Sequence, residues 1–263
     1  MLGSIIGDIV GSPYEFNNIK TKEFPLFKDS STFTDDTILT IATAECLMNR
    51  SEDYGKYYRA YGNKYPSSYG AMFLDWLKDK KMGPYNSCGN GSAMRVGPIG
   101  ILSEDLEVAI IEAKRSAEVT HNHPSGVKGA QAVVSAVWLA KHGYNKKFIK
   151  EFISSVYCYK LNNKLKDIRP KYKFGEMCHN TVPEAIIAFL ESNSFEDAIR
   201  NAISLGGDSD TLACITGSIA EAFYRDIPDH MIDDAMKRIP QEFQEIIHKF
   251  YWKTDNYNIF LRK

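Results

Sequence analysis

Two segments, far apart in the chain, concentrate hard oxygen donors. Thr34-Asp35-Asp36-Thr37 and Asp208-Ser209-Asp210-Thr211 each hold an Asp-Thr pair with a further carboxylate upstream. Asp and Thr are favoured helix N-caps, and capping alone explains either segment taken singly. Two features go beyond capping. A cap needs one side chain, and each segment carries two carboxylates. The residues that follow are apolar or small (Ile38, Ala42, Ala44; Leu212, Ala213, Gly217, Ala220), so both helix starts are expected to be partly buried. Buried carboxylates repel one another unless something positive lies between them, and no Lys or Arg adjoins either segment. A metal cation is the economical answer. Oxygen ligands without His or Cys select Mg²⁺, Ca²⁺ or Mn²⁺ over zinc or copper. Four carboxylates could hold two divalent ions about 3.5–4 Å apart, as in two-metal hydrolases.

Three further places carry chemistry. Glu15 follows a stretch with glycines at 3, 7 and 11 and opens a polar segment that runs to Lys28. It could close over the acidic centre or simply be solvated. With few apolar anchors before Phe24, the segment is expected to be mobile, and Glu15 to swing between closed and open positions. Ser87-Cys88-Gly89-Asn90-Gly91 has a Gly-Asn-Gly turn that lets backbone N–H groups approach an anion, although an ordinary turn reads the same way. Thr120-His121-Asn122-His123-Pro124 brings two histidines to a helix start, where hydrogen bonding or substrate contact is favoured over metal ligation.

The elements that position these groups read as helices. Apolar spacing and end signals predict helices over 36–49, 103–120, 124–142, 146–158, 194–203, 210–224 and 231–253, the last broken at Pro240. Thr181-Val182-Pro183-Glu184 reads as a capping box with Pro at the helix start. Pro13 is expected to end the first helix, and its bare glycine face to pack closely on a neighbour. Side-by-side packing of the helices that follow the two acidic segments would bring those segments together. Short strands are conceivable over 169–174, but the expectation is an all-α, single compact domain over 1–263.

Of the 263 residues, 44% are hydrophobic and 25% charged, and the net charge is -1. That balance excludes fibrous and wholly disordered classes, and it lacks the bulk positive field of nucleic-acid binders. No run of eighteen apolar residues suggests a membrane span. The first ten residues contain Asp8 and no basic group, a poor signal peptide. Five cysteines without a Cys-x-x-Cys pair read as free thiols of a cytoplasmic protein.

Taken in order, Gly7-Asp8-x-x-Gly11-x-x-x-Glu15, Phe33-Thr34-Asp35-Asp36-Thr37, Ser87-x-Gly-Asn-Gly-Ser-Ala-Met-Arg95, Thr120-His121-x-His-Pro124 and Gly206-Gly207-Asp208-Ser209-Asp210-Thr211 resemble the motifs of the ADP-ribosylglycohydrolases, including the dinitrogenase reductase-activating type. The resemblance implies an orthogonal all-helical fold around a binuclear Mg²⁺ or Mn²⁺ centre. By motif, Thr34, Asp35 and Asp36 would bind metal from one side, and Asp208, Asp210 and Thr211 from the other. Asp35 or Asp36 would act as base, and Glu15 would ligate metal or gate the cleft. Ser87, Cys88, Gly89, Asn90 and Gly91 would hold the diphosphate and distal ribose of ADP-ribose, and His121 would contact substrate. The implied substrate is an ADP-ribosylated protein or small-molecule conjugate; the oligomeric state is left open by the sequence, with a monomer favoured. A nucleotide phosphohydrolase and a non-catalytic ADP-ribose-binding protein are the alternatives. Two departures stand out. Cys88 occupies a place where some members stack an aromatic ring on adenine, and Tyr69-Gly70-Ala71-Met72-Phe73 lacks the acid of arginine-type members.

Overall fold

The structure, a computed structural model, describes residues 1–254; the final part of the expected 1–263 domain, residues 255–263, lies outside the described residues. Among the described residues the regular elements are all helices. The helices are α1 (Leu2–Gly11), α2 (Asp35–Met48), α3 (Tyr54–Lys64), α4 (Ala71–Lys78), α5 (Gly91–Met94), α6 (Gly97–Leu102), α7 (Leu106–Glu118) and α8 (Pro124–Lys141). There follow α9 (Lys146–Tyr157), α10 (Leu165–Ile168), α11 (Cys178–Leu190), α12 (Phe195–Ile203), α13 (Ser209–Tyr224), α14 (Asp229–Met236) and α15 (Gln241–Lys253). Among the described residues no strand forms. Residues 169–174 are not extended into a sheet, and a single antiparallel bridge joins Gly89 to Met177. No helix among them is long and apolar enough to cross a membrane.

The centre of the fold is the contact of α1 with α13. Every residue of α1 is buried, and so is nearly all of α13. A Cβ at Gly3 would lie 2.2 Å from Gly217 O, one at Gly7 2.1 Å from Ala213 O, and one at Gly11 2.5 Å from Asp210 Cα. The glycine stripe therefore lets the two backbones touch, as its spacing predicts. The contact continues to the far end of α13, where Glu221 accepts from Gly3 N at 2.7 Å and also from the Tyr251 hydroxyl of α15. Helix α2 meets the same assembly through α1 and does not run alongside α13. The two acidic helix starts still converge, because both sit at the Gly11 end of α1.

Most helix boundaries fall within a few residues of expectation. Asn145 caps α9 and Ser194 caps α12, each accepting from a backbone N–H of the first turn. Pro240 separates α14 from α15, and α14 ends earlier, at Met236. Pro13 ends α1 through one 3₁₀ turn, Ser12–Tyr14. The capping box at 181–184 is not formed. Helix α11 begins at Cys178, and Pro183 lies inside it. The extra turn is held from outside: Cys178 N donates to Cys88 O at 3.0 Å. Thr181 is turned to tertiary partners, donating to Gly175 O and accepting from Asn90.

The segment over 15–33 is laced down rather than loose. The Asn18 amide donates to the carbonyls of Tyr14 (2.8 Å), Glu15 (2.7 Å) and Gly207 (2.9 Å), while its oxygen accepts from Gly207 N (2.6 Å). Lys20 donates to Tyr172 O and Leu205 O, Lys22 pairs with Asp197, and Arg200 donates to Lys22 O and Phe24 O. These bonds tie the segment to α12 and to the turn before α13, so mobility does not follow from its polarity alone.

Candidate active site

Asp8, an acid on an otherwise apolar helix, organises the first acidic segment. It is wholly buried and accepts from Thr34 N (2.9 Å), Thr34 Oγ1 (2.8 Å), Thr37 N (3.0 Å) and Thr37 Oγ1. Burial pushes its carboxyl up to about 6 against the pull of these donors. The start of α2 is thus held by a carboxylate one helix away. Thr34 Oγ1 is also the N-cap of α2, with a long 3.4 Å bond from Asp36 N.

Capping does not account for the carboxylates. Asp208 stands at the N-cap position of α13 and makes no cap bond with its side chain; its Oδ2 instead accepts from Asn90 Nδ2 at 2.7 Å. The two acidic segments meet where Thr211 Oγ1 donates to Asp36 Oδ2 at 3.2 Å. Ligand-capable oxygens of Glu15, Asp208 and Asp210 lie within 4.8 Å of one another. Asp36 Oδ1 is buried and has no hydrogen-bond partner.

Burial raises Glu15 to about 7 and Asp35 to about 8, and it holds Asp36 and Asp210 well above the usual carboxylate range. After burial, the charges that act on these four groups are all carboxylates: Asp208 and Asp8 foremost on Glu15, Asp8 on Asp35 and Asp36, Asp208 on Asp210.

Hard oxygens, an orphaned buried carboxylate oxygen and, among the described residues, no Lys or Arg acting on these four carboxylates fit a divalent-ion site. The hydroxyl geometry agrees. Thr34 gives its proton to Asp8 and Thr211 gives its proton to Asp36, which leaves hydroxyl lone pairs for a cation.

These acids form one end of a cleft of about 350 Å³. Glu15, Asp35, Asp36, Asp208, Asp210 and Thr211 line it together with Ser87, Cys88, Gly89, Asn90, Gly91 and His121. Thr34 is the one expected site residue that does not line the cleft; it stands behind Asp36, on Asp8. Within the loop, Gly89 N donates to Ser87 Oγ (3.1 Å) and Asn90 N to Glu176 O (2.7 Å), so two of its amides are committed internally. The Asn90 side-chain amide is likewise committed, to Asp208 and to Thr181, which makes Asn90 a brace between the loop and α13. His123 caps α8 by accepting from Ser125 N at 3.0 Å, and His121 alone of the pair reaches the cleft.

Residues absent from the sequence reading complete the walls. Glu176 and Met177 enter through the bridge to Gly89, and Cys88 Sγ lies 3.3 Å from Met177 Sδ. The stretch 70–73, which lacks an acid, lines the cleft, so its composition bears on what fits there. Asp8 had a readable signal, a lone carboxylate in a Gly-rich apolar helix; Glu176 had none, since only the tertiary bridge brings it in.

Asp8→Asn should be costly. Asp8 Oδ2 accepts from three donors, and an amide in its place either drops them or turns its own N–H groups against them. A loss of about 2–3 kcal/mol in urea unfolding is expected, together with weaker divalent-ion binding, because the Thr34–Asp36 start is released. Parent-like stability would show that Asp8 does not hold α2.

The described residues form a helical body with a carboxylate-lined cleft at the meeting point of two helix starts. The family model for ADP-ribosylglycohydrolase matches residues 1–257, and the chain belongs to that family of glycohydrolase enzymes. It is 25% identical to an ADP-ribosylhydrolase ARH3 from Gallus gallus, over 93% of this chain and 89% of that one. It is also 25% identical to the ADP-ribosylarginine hydrolase Tri1 of Pseudomonas putida, over 85% of this chain and 69% of that one. Among solved structures, an ADP-ribosylglycohydrolase-related protein complex has the same fold, with a TM-score of 0.72, 22% identity and 96% of both chains covered.

Proposed function

We propose that the cleft hydrolyses the C1″ glycosidic bond of an ADP-ribosylated protein or small-molecule conjugate and releases ADP-ribose. The observation that carries this is the convergence of the two acidic helix starts, joined by Thr211 and Asp36, beside the Ser87–His121 wall of one cleft. On this reading residues 1–263 act as one domain, a monomer of the cytoplasm.

Thr34, Asp35, Asp36, Asp208, Asp210 and Thr211 would hold two Mg²⁺ or Mn²⁺ ions. Such ions supply Lewis acidity and lower the pKa of a bound water. The chain's own contributions are separable. Asp35 or Asp36 takes the proton of the attacking water. The carboxylate cluster favours the positive charge that develops at C1″. Ser87, Cys88, Gly89 and Gly91, with His121, grip the diphosphate end, and that remote grip can be used to orient the reacting carbon. Glu15 stands at the cleft face of the acids and competes with substrate oxygens for the centre.

A panel of ADP-ribosylated arginine, serine, nucleic-acid base and small-molecule substrates, each assayed with Mg²⁺ and with Mn²⁺, tests the reading. Free ADP-ribose is the expected product. AMP with ribose phosphate would make the protein a phosphohydrolase, and ADP-ribose binding without turnover would make it a binding protein.

The raised carboxyls give a second test. Free carboxyls in an unfolded chain ionise near pH 4, while Glu15 and Asp35 in the folded chain ionise near about 7 and 8. Between these limits the folded, metal-free chain holds more protons, so its stability falls as pH rises. A divalent ion reverses this by favouring the ionised forms. The gain in Tm on replacing EDTA with Mg²⁺ or Mn²⁺ should therefore be larger at pH 8 than at pH 5. An equal gain at both would show that the carboxylates are not the ligands.

A further inference from the structure

Two residues of the sequence motifs, Arg95 and Thr120, have no role in the reading above, and both are wholly buried. Arg95 lies over the Tyr58 ring, 4.2 Å from its centroid, and among the described residues no carboxylate pairs with it. Its Nη2 donates to Ser116 O at 2.7 Å and to Thr120 Oγ1 at 3.0 Å; Nε and Nη1 have no partner. A guanidinium only donates, so the Thr120 oxygen is an acceptor on that side.

The other neighbour of Thr120 Oγ1 is His121 Nδ1, at 2.7 Å. A hydroxyl has one proton to give. With Arg95 on one side, the proton of Thr120 is directed at the ring nitrogen, which must then offer its lone pair, and the ring hydrogen sits on Nε2. The Tyr85 phenol also reaches the Thr120 hydroxyl, and its ring lies 5.8 Å from the imidazole. A phenol hydrogen given to the second lone pair of Thr120 Oγ1 leaves the Thr120 proton on the Nδ1 side. Burial and the nearby Arg95 charge hold the imidazole well below its ordinary range, the direction that favours the uncharged ring.

The Nε2 atom faces the Gly-Asn-Gly loop. A Cβ at Gly91 would lie 3.1 Å from it and one at Gly89 3.5 Å, so the two glycines keep the space before Nε2 open. We propose that Arg95 and Thr120 are positioning residues: they hold His121 as a neutral imidazole whose Nε2–H is a fixed donor to a substrate oxygen at the Gly89–Gly91 side of the cleft. In this role His121 exchanges no proton with substrate and ligates no metal. The substrate-oxygen part rests on the function proposed above; the tautomer does not.

The test has two arms. Long-range ¹H–¹⁵N correlation on the full chain labelled with ¹⁵N-histidine reads the tautomer directly, with the His121 signals assigned by their loss in His121→Gln. The Nε2–H tautomer is expected throughout about pH 5.5–8. An Nδ1–H tautomer, or an imidazolium within that range, overturns the proposal without any variant needing to fold. The second arm measures ADP-ribose affinity by calorimetry with Mn²⁺ present. Thr120→Val should bind about tenfold more weakly, Thr120→Ser should restore parent affinity, and all three proteins should bind Mn²⁺ equally. Parent-like ADP-ribose affinity in Thr120→Val overturns the positioning role. If the parent itself fails to bind ADP-ribose, the proposed function falls, and the tautomer measurement alone decides whether Arg95 and Thr120 set the imidazole.

Discussion

Asp36→Asn should lower turnover by about 10³-fold or more, the scale of several kcal/mol of transition-state stabilisation, while the fold survives. Asp36 has one oxygen on Thr211 and another that is buried with no partner. The substitution keeps the shape and removes the charge. A carboxamide is a poor hard ligand and a poor base, so metal affinity and the chemical step should fall together. The metal-free protein should respond in the opposite sense. Asp8, Asp35 and Asp208 all act on Asp36 as like charges, and removing one member of a repelling cluster leaves the apo chain as stable as before or more so. Activity assays over a metal titration, with thermal unfolding in EDTA, read both effects. Asp210→Asn should behave in the same way, from the other acidic segment. Full activity in both variants would sink the binuclear proposal. Glu15→Ala offers a graded comparison. As a half-buried competitor it should cost less activity than Asp36→Asn, and should leave ADP-ribose binding intact or tighter.

The largest effect on stability is expected at Gly7. A Cβ there would lie 2.1 Å from Ala213 O, 2.4 Å from Ala213 C and 2.7 Å from Cys214 N. All three are backbone atoms, so no side chain can rotate away. Accommodating Gly7→Ala means separating α1 from α13 along a contact in which every residue of α1 is buried. A loss of about 3 kcal/mol is expected, the upper end for overpacking, or a Tm lower by about 6–12 °C for a chain of this size. Gly143→Ala provides the contrast. A Cβ there meets nothing within 4 Å, and its cost comes only from a φ of +80°. If Gly7→Ala unfolds at the parent temperature, the close approach of the two helices is not what holds the centre together.

What could be read from the sequence follows a physical divide. The long helices were legible because one buried face repeats at helical spacing, as in α8 and α9, and because their caps are local: Asn145 and Ser194 each bond within their own first turn. Tertiary support was not legible. Helices α3 and α4 went unread, and so did the short α5, α6 and α10, whose four to six residues show no period. Pro183 looked like a helix start because the turn before it depends on a bond to Cys88 O, some ninety residues away. The polar run after Glu15 looked mobile because polarity was read as solvation, whereas Asn18, Lys20 and Arg200 direct that polarity at backbone carbonyls. At the site, the pairing of two acidic segments was readable as an excess of carboxylates over what capping needs. Asp8 stood out as a lone carboxylate, but what it holds was not readable, nor was the brace formed by Asn90, because each acts on a partner brought close only by the fold.

The pairing of α1 with α13 also has a consequence in time. Gly3 N and its Glu221 acceptor are 218 residues apart, which at ordinary synthesis rates separates their appearance by roughly ten to forty seconds. During that interval α1 has made its apolar, glycine-striped surface and its partner does not yet exist. No amount of early helix formation can close the centre, because Asp208 and Asp210 are also still unmade. For that interval the nascent chain therefore carries α1 without the helix that covers its glycine face. The acidic centre can close only after α13, which carries Asp210 in its first turn, has been made and packs against α1.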